Sequence, residues 1–203
     1  MPQVSVRDAR ADDRHWIQRV YRDYLVELAT STTGLYPMLP ELGSREPDSV
    51  VRAFPDANGH VLTVCYGEER SGYAKINASA RRHPGARGAA ATAVAPAAGV
   101  APIAASPPPQ SSPPPPVTLP EFSMAEFFIA HPWRRRGIGT QAVRLILDRF
   151  TGRWLITEHL RNDTAVRFWR HVVMAYTAGN YQERIVNGEV QQRFVSDSRR
   201  PGR

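Results

Sequence analysis

Three consecutive arginines followed by two spaced glycines form the most informative segment, His131-Pro-Trp-Arg-Arg-Arg-Gly-Ile-Gly139. It lies between an apolar run and a helical pattern, so it is expected to join a strand to a helix. The free N–H groups and the dipole at a helix start attract anions, and glycine lets the backbone approach a pyrophosphate closely. The segment therefore predicts a phosphate-binding loop. The alternative is a basic turn whose glycine serves only tight packing.

The elements on either side of this loop have clear patterns. The apolar run Phe122 to Ala130 is interrupted only by Ser123 and Glu126 and is short enough to be a buried strand. Thr140 to Phe150 carries its apolar residues on one helical face. Trp154 to Thr157 predicts the next strand. Asn162 or Asp163 then caps a second helix. The order is strand, loop, helix, strand, helix.

The rest of the chain adds antiparallel hairpins and an N-terminal helix. The residues group into the following predicted elements: a strand at Val4 to Arg7, a helix from Asp12 or Asp13 to about Leu28, a short helix at Pro47 to Phe54, a hairpin of His60 to Tyr66 and Tyr73 to Asn77 around a turn at Gly67 to Gly72, and a last hairpin of Gln182 to Asn187 and Glu189 to Val195. Asn187-Gly188 is a strong turn dipeptide. This order predicts an α/β fold with a mixed sheet.

Residues 78–118 are unsuited to a core. They hold ten of the 18 prolines and are otherwise mostly Ala, Gly and Ser, with too little bulky apolar surface to offset the entropy of ordering. We predict a disordered insert in a hairpin loop, with polyproline II character near its end. A docking segment for a proline-binding module is the alternative. We therefore predict one domain over 1–197, interrupted by this insert, and a flexible basic tail at 198–203.

The net charge of +7 does not describe the folded part. Six arginines lie in 78–118 and 198–203, where there are no acidic residues, so the remainder is almost neutral. This argues against a nucleic-acid-binding face. The single cysteine, Cys65, allows no intrachain disulfide and suggests no metal site. With no long apolar run and no secretory signal, we expect a cytoplasmic protein without a membrane span or a bound metal.

These motifs resemble the GNAT superfamily of acetyl-CoA-dependent N-acetyltransferases. Its signature, Gln/Arg-x-x-Gly-x-Gly/Ala after the fourth strand, matches Arg134-x-x-Gly137-x-Gly139, and Asn162-x-x-Ala165-x-x-Phe168-Trp169 is similar to its Asn-x-x-Ala-x-x-Phe-Tyr element. The runs Ala125 to Ile129 and Ala175 to Gly179 look like a bacterial branch of predicted acetyltransferases. The resemblance covers about 4–77 and 119–197 and is strongest in 122–181.

The resemblance implies a GNAT-like sheet in which the two strands around the loop diverge. Acetyl-CoA would lie in this gap as co-substrate, with its pantetheine pairing to backbone near Ile129 to His131. The segment from Arg135 to Thr140 would hold the pyrophosphate, and Asn162 and Phe168 would approach the cofactor arm. The full set of cofactor-binding residues expected is Ile129, Ala130, His131, Arg134, Arg135, Arg136, Gly137, Ile138, Gly139, Thr140, Asn162 and Phe168.

Acetyl transfer to an amine needs the neutral amine. An acceptor with a pKa near 10.4 is unprotonated in only about one molecule in 10³ at pH 7, so a base would help. Glu126 is the only carboxylate on the predicted central strand and is the candidate base, with a structural carboxylate as the alternative. Relatives place an acidic tyrosine where this chain has Trp169. Tyr176 is the substitute acid, or else a packing tyrosine. Nothing assigns His131 or His159 a catalytic role.

Two other functions stay open at this stage. Trp169 in place of tyrosine favours an acyl-CoA-binding regulator without catalysis. The arginines of the insert and tail favour an acetyltransferase or binding module that acts on RNA. We expect the acceptor, a small-molecule or peptide amine, to bind between Asp12–Phe54 and the last hairpin, and the protein to be a monomer or homodimer. The identity of the amine is not encoded in any motif.

Overall fold

A seven-stranded mixed sheet organises the chain, as the sequence predicts. The computed structural model describes residues 2–30, 59–79 and 119–197. The strands are β1 (Val4–Asp8), β2 (Gly59–Tyr66), β3 (Glu69–Ser79), β4 (Glu121–Ile129), β5 (Gly152–His159), β6 (Gln182–Val186) and β7 (Glu189–Ser196). The helices are α1 (Arg14–Thr30), α2 (Ile138–Arg149) and α3 (Asp163–Thr177). The strand order is β1-β2-β3-β4-β5-β7-β6.

One pair of neighbouring strands is parallel, and it separates soon after it forms. β4 pairs with β5 only over Glu121–Ser123 and Arg153–Leu155, whereas β3 follows β4 along almost its whole length. A bulge at Ala125, where the register with β3 shifts by one residue, bends β4 at this point. We call the opening beyond Ser123 and Leu155 the β4–β5 split. It positions the candidate site.

The helices cover both faces of the sheet. Ile17, Tyr21 and Tyr24 of α1 pack with Tyr73 and Phe128 on one face, which we call the α1 face. The largest cluster lies on the opposite face, where α2 and α3 pack against the sheet. Its members include Val143, Leu147, Trp154, Ile156 and Trp169. The sheet therefore has apolar contacts on both faces, as a central sheet of an α/β fold requires.

A buried carboxylate fixes the start of α1. Asp13 is fully buried and accepts hydrogen bonds from Arg7 (2.5 and 3.0 Å), Arg70 Nε (2.7 Å), Thr63 Oγ1 (3.1 Å) and the Arg10 N–H (2.8 Å). Burial alone would raise the pKa of Asp13, but these hydrogen bonds outweigh it and hold that pKa well below its usual range. The network joins β1, β2 and β3 to α1.

Several predicted boundaries differ from the structure. The turn predicted at Gly67–Gly72 is wrong, because only Gly67 and Glu68 turn and β3 begins at Glu69. β3 also continues through Ser79, so residues 78 and 79 pair with β4 instead of starting the insert. The hairpin around Asn187-Gly188 is confirmed, with both residues at positive φ. The predicted helix at Pro47–Phe54, the rest of the insert and the tail at 198–203 lie outside the described residues.

None of the three helices, within the described part of the chain, is long and apolar enough to cross a membrane.

Candidate active site

The loop of three arginines has the backbone that a strand-to-helix anion site needs. Gly137 precedes α2 with φ +75°, a left-handed conformation that glycine adopts readily. It has no side chain to cap the helix, so the first N–H groups of α2, from Ile138 to Thr140, face outward without an intrahelical acceptor. Arg135 and Arg136 are exposed beside them. An anion at this helix start would meet both free N–H groups and two guanidinium groups.

Arg135 occupies an unfavourable backbone conformation. Its φ is +61°, in the left-handed region that costs a side-chain-bearing residue roughly 1–2 kcal/mol. Arg135 is nevertheless exposed, so no packing contact of a buried side chain offsets this cost. This conformation could not be predicted from the sequence, because the motif tolerates any residue at that position.

Arg134 folds back onto the strand and away from the helix start. Its Nε donates to the Ile129 carbonyl at 2.7 Å, and its guanidinium lies over the Phe128 ring, 4.8 Å from the centroid. We infer that Arg134 shapes the loop through these contacts. Arg136 lies over Trp133, 5.3 Å from the ring centroid. The three arginines therefore differ in role, although the sequence treats them alike.

The free edge of β4 is set by its pairing with β3. The Ala130 N–H donates to the carbonyl of Ser71 in β3 at 2.9 Å. The backbone of Ala130 therefore faces β3. Backbone groups alternate between the two edges of an antiparallel strand, and those of Ile129 and Phe127 therefore face the β4–β5 split. The pantetheine pairing was expected near Ile129 to His131; we infer that it would instead use Phe127 and the Ile129 N–H, because the Ile129 carbonyl already accepts from Arg134. His131 is exposed in a short 3-10 turn, His131–Trp133.

Aromatic rings line the split on the face of α2 and α3. Phe127 of β4 stacks on Phe168 of α3, with 5.8 Å between centroids and an interplanar angle of 11°, and meets Trp169 edge-on at 5.6 Å. A Cβ built on Gly139 would lie 3.4 Å from Phe168 and 3.5 Å from Ile129. Gly139 thus lets the start of α2 approach both β4 and α3. Phe168 lies at the split, as the motif predicts.

Asn162 begins α3. Its Oδ1 accepts from the Ala165 N–H at 3.3 Å, which satisfies one free donor of the helix start. The sequence predicts this cap. The contact gives Asn162 a structural task at the mouth of the split in addition to the cofactor contact expected from the motif.

Glu126 points to the α1 face. The bulge at Ala125 places Glu126 opposite Lys75 of β3, and Glu126 Oε2 accepts from the Tyr73 hydroxyl at 3.0 Å. Tyr73 is fully buried, and burial together with the neighbouring carboxylate raises the pKa of its hydroxyl well above the usual value. Tyr73 therefore stays a neutral donor that orients Glu126. The half-buried carboxylate keeps a polar environment close to the split.

Tyr176 lies at the wrong end of the helices for catalysis at the loop. Its hydroxyl donates to Asp148 Oδ1 at 2.9 Å, and burial and this contact raise its pKa. Asp148 is ten residues beyond Ile138 along α2, which is about 15 Å from the helix start at 1.5 Å per residue. The contacts favour the packing alternative for Tyr176, a link between α2 and α3, and the structure does not bring it to Glu126.

Glu158 is a second carboxyl group at the split and was missed from the sequence. It lies near the end of β5. Burial raises the pKa of Glu158 to about 7, and the neighbouring Trp169 side chain, a donor, partly opposes this rise. The strand was predicted to end at Thr157, so Glu158 appeared to lie in a loop. Its alternation with Trp154 and Ile156 is the signal that could have identified it.

Comparison with known proteins agrees with this geometry. Residues 25–172 match the sequence profile described as the acetyltransferase (GNAT) family. Comparison with curated protein sequences finds no match.

Solved structures with the same fold include acetyltransferases from distant organisms. A GNAT-family acetyltransferase from Streptococcus agalactiae has a TM-score of 0.61 at 12% identity, over 97% of this chain and 98% of the other. NAA60 from Arabidopsis thaliana, in complex with acetyl-CoA, has a TM-score of 0.52 at 9% identity, over 95% and 98%. A chimera of the spermidine N-acetyltransferase SpeG from Vibrio cholerae and hSSAT has 0.50 at 11%, over 94% and 93%.

Proposed function

The chain belongs to the acetyltransferase (GNAT) family, an acyl-transferring family that uses acetyl-CoA, and we propose that it acetylates the nitrogen of a small-molecule or peptide amine. The observation that carries the proposal is the joint placement of a helix-start anion loop and a carboxylate at one split between strands. The loop accounts for binding of the phosphates. The carboxylate accounts for activation of the amine.

The residues at the split fit acetyl-CoA. The pyrophosphate would lie on the N–H groups from Ile138 to Thr140, with Arg135 and Arg136 adding positive charge. The pantetheine would pair with the edge of Phe127 and Ile129 and pass the Phe168 ring. When bound, acetyl-CoA supplies an acetyl group activated as a thioester. Gly137 keeps the loop free of a side chain where the phosphates would approach, and Gly139 lets the start of α2 lie close to Phe168 and Ile129.

Glu126 is proposed as the base. It faces α1, and the Tyr73 hydroxyl holds it in place. A protonated amine that enters from the α1 face would meet this carboxylate first, and the carboxylate would accept a proton directly or through a water. Tyr73 and Phe128 are buried beneath α1 on this side, with Tyr24 packed against them.

The test is the rate of acetyl-CoA consumption for the native protein and for Glu126→Gln across pH, with amines of several classes. Gln keeps the shape of Glu and removes its basicity. The rate should fall about 10²–10⁴-fold below the native rate near neutral pH, and this deficit relative to the native protein should shrink at high pH, where free amine accumulates. Glu121→Gln, on the same strand where β4 and β5 still pair, is the matched control and should change little. Full turnover of Glu126→Gln at every pH would remove the base from the proposal.

A further inference from the structure

Two carboxyl groups flank the β4–β5 split at the same level. The last paired residues are Ser123 and Leu155, and Glu126 and Glu158 each lie three residues beyond them on their own strands. Without a bulge, parallel strands in this register would place both side chains on one face of the sheet. The extra residue at Ala125 turns Glu126 to the α1 face. Glu158 shares the opposite face with Trp154 and Ile156.

The surroundings of Glu158 are almost free of charge. Trp169 of α3 lies beside it, Val190 of β7 lies directly opposite, and Phe127 borders the split beside Trp169. Among the described residues, the titratable groups around it include Glu126 across the split on the α1 face, His159 and Glu189 on the other face of β5 and β7, and Glu183 on β6. Glu183 is held by Arg170 at 2.6 Å and by Gln192 at 2.9 Å. The carboxyl groups among these do not stabilise an ionised Glu158, and His159 lies on the opposite face of the strand.

A buried acceptor on β7 is consistent with a neutral Glu158. Gln192 is buried on the same face and pairs with Ile156, which makes it the diagonal neighbour of Glu158 across the β5–β7 pair. Its Nε2 donates to Glu183, but its Oε1 has no hydrogen-bond partner. A buried acceptor without a donor costs free energy. Diagonal positions are within reach of long side chains, and a protonated Glu158 adds a donor on this face.

We propose that Glu158 is the general acid of the transfer and gives its carboxyl proton to the coenzyme A sulfur. This rests on the proposed acetyl transfer. In the step, the acceptor nitrogen bonds to the acetyl carbon while the carbon–sulfur bond breaks. Glu126, on the α1 face, takes one proton from the ammonium and releases it to solvent, then takes the second nitrogen proton as the amide forms, while the Glu158 proton passes to sulfur on the other face. Solvent then takes the proton from Glu126 and returns one to Glu158.

This arrangement gives Trp169 a task at the position where relatives have an acidic tyrosine. An indole N–H cannot supply a proton at neutral pH, but it is a donor beside the Glu158 carboxyl and favours the ionised form that this group takes after the step. The pKa of Glu158, about 7, is well placed for an acid that must be protonated before the step and ionised after it. The thiolate of coenzyme A, with a pKa near that of cysteine at about 8.5, accepts its proton readily.

A binding titration tests the contact with sulfur without any acceptor amine. Trp169 fluorescence is followed against pH for the native protein and for Glu158→Gln, so that the other three of the four tryptophans cancel in the difference. The native protein should show a transition near pH 7 that Glu158→Gln lacks. With coenzyme A, its midpoint should differ by about one unit from that with desulfo-coenzyme A, which lacks only the sulfur. Trp169→Phe should raise the midpoint of the Glu158 titration. Because this variant lacks the Trp169 fluorescence, its midpoint is measured by ¹³C NMR of labelled glutamate.

Kinetics test the proton transfer itself. With saturating amine, kcat of Glu158→Gln should fall about 10- to 100-fold near pH 7, at the low end for a general acid because a thiolate leaves well. The native kcat should decline above pH 7, and Glu158→Gln should lose this decline. Glu189→Gln on β7 is the matched control and should keep the native profile. If Glu158→Gln does not fold, Glu158→Asp, which moves the carboxyl group back by one methylene, replaces it in the kinetic measurement.

The outcomes separate the two proposals. Equal midpoints with coenzyme A and desulfo-coenzyme A, or an unchanged kcat profile in folded Glu158→Gln, would overturn the role of Glu158 alone. Absence of turnover by the native protein with every amine would contradict the proposed function, while the fluorescence titration would still report on the carboxyl group.

Discussion

Replacing Asp13 should show how strongly one buried carboxylate holds α1 over the site. Asp13→Asn keeps the size of the side chain and removes the charge that Arg7 and Arg70 contact at 2.5 and 2.7 Å. Breaking a buried ion pair by removing one partner costs about 3–5 kcal/mol. The Arg7 and Arg70 side chains are 29% and 33% exposed, so they regain water, and we expect the lower end, about 3 kcal/mol.

For a chain of this size, that loss should lower Tm by roughly 6–12 °C. The assay is urea unfolding at pH 7 and at pH 3, with Asp12→Asn as control. Asp12 is 67% exposed and contacts Arg70 at 3.2 Å, so its replacement should cost less than about 1 kcal/mol.

The pH dependence has a definite sign. The folded pKa of Asp13 is depressed, so its stabilisation is fully present above the unfolded pKa, about 3.9, and is lost as pH falls towards the folded pKa. The difference between native protein and Asp13→Asn should therefore be largest at pH 7 and smaller at pH 3. Equal unfolding free energies for Asp12→Asn and Asp13→Asn would show that the buried Asp13 carboxylate stabilises the fold no more than the exposed Asp12 does.

Three further predictions concern the loop and the insert. Arg135→Gly should raise the unfolding free energy by about 1 kcal/mol, by relieving the positive φ, and should weaken acetyl-CoA binding, most at low salt in calorimetry. Gly139→Ala should keep the native Tm, since a Cβ meets Phe168 only at 3.4 Å, whereas the larger Gly139→Val should lower the unfolding free energy by about 1–3 kcal/mol; equal Tm values would show that this contact is not limiting. Replacing 80–117 by a short Gly/Ser turn should leave Tm almost unchanged, because β3 and β4 pair directly and loop length adds only about 0.6 kcal/mol per doubling; a large fall would contradict the proposed single domain with an insert.

The fold and the loop were predictable because local patterns determine them. Helical and strand periodicity identify β4, α2 and α3, and a positive φ before α2 calls for Gly137. The cap at Asn162 follows from residue type alone. Each of these signals is contained within a few residues.

The remaining features depend on contacts between distant residues. Asp13 was interpreted as a helix start, but its burial depends on Arg70, which is 57 positions away. The face of Glu126 depends on a bulge that no local pattern reveals. Glu158 lay beyond the predicted end of β5, and its raised pKa depends on burial, which no local pattern reveals. Tyr176 has a suitable chemical group, yet its place on α3 commits it to Asp148.

The most direct test of the account measures both products of one reaction. The protein is incubated with isotope-labelled acetyl-CoA and an amine that promotes its consumption, and the free thiol and the labelled amide are quantified together. We expect equal amounts of thiol and amide, with the label on the acceptor nitrogen, and loss of both in Glu126→Gln near neutral pH. Thiol without amide, or binding of acetyl-CoA without either product for any amine, would contradict transfer to nitrogen.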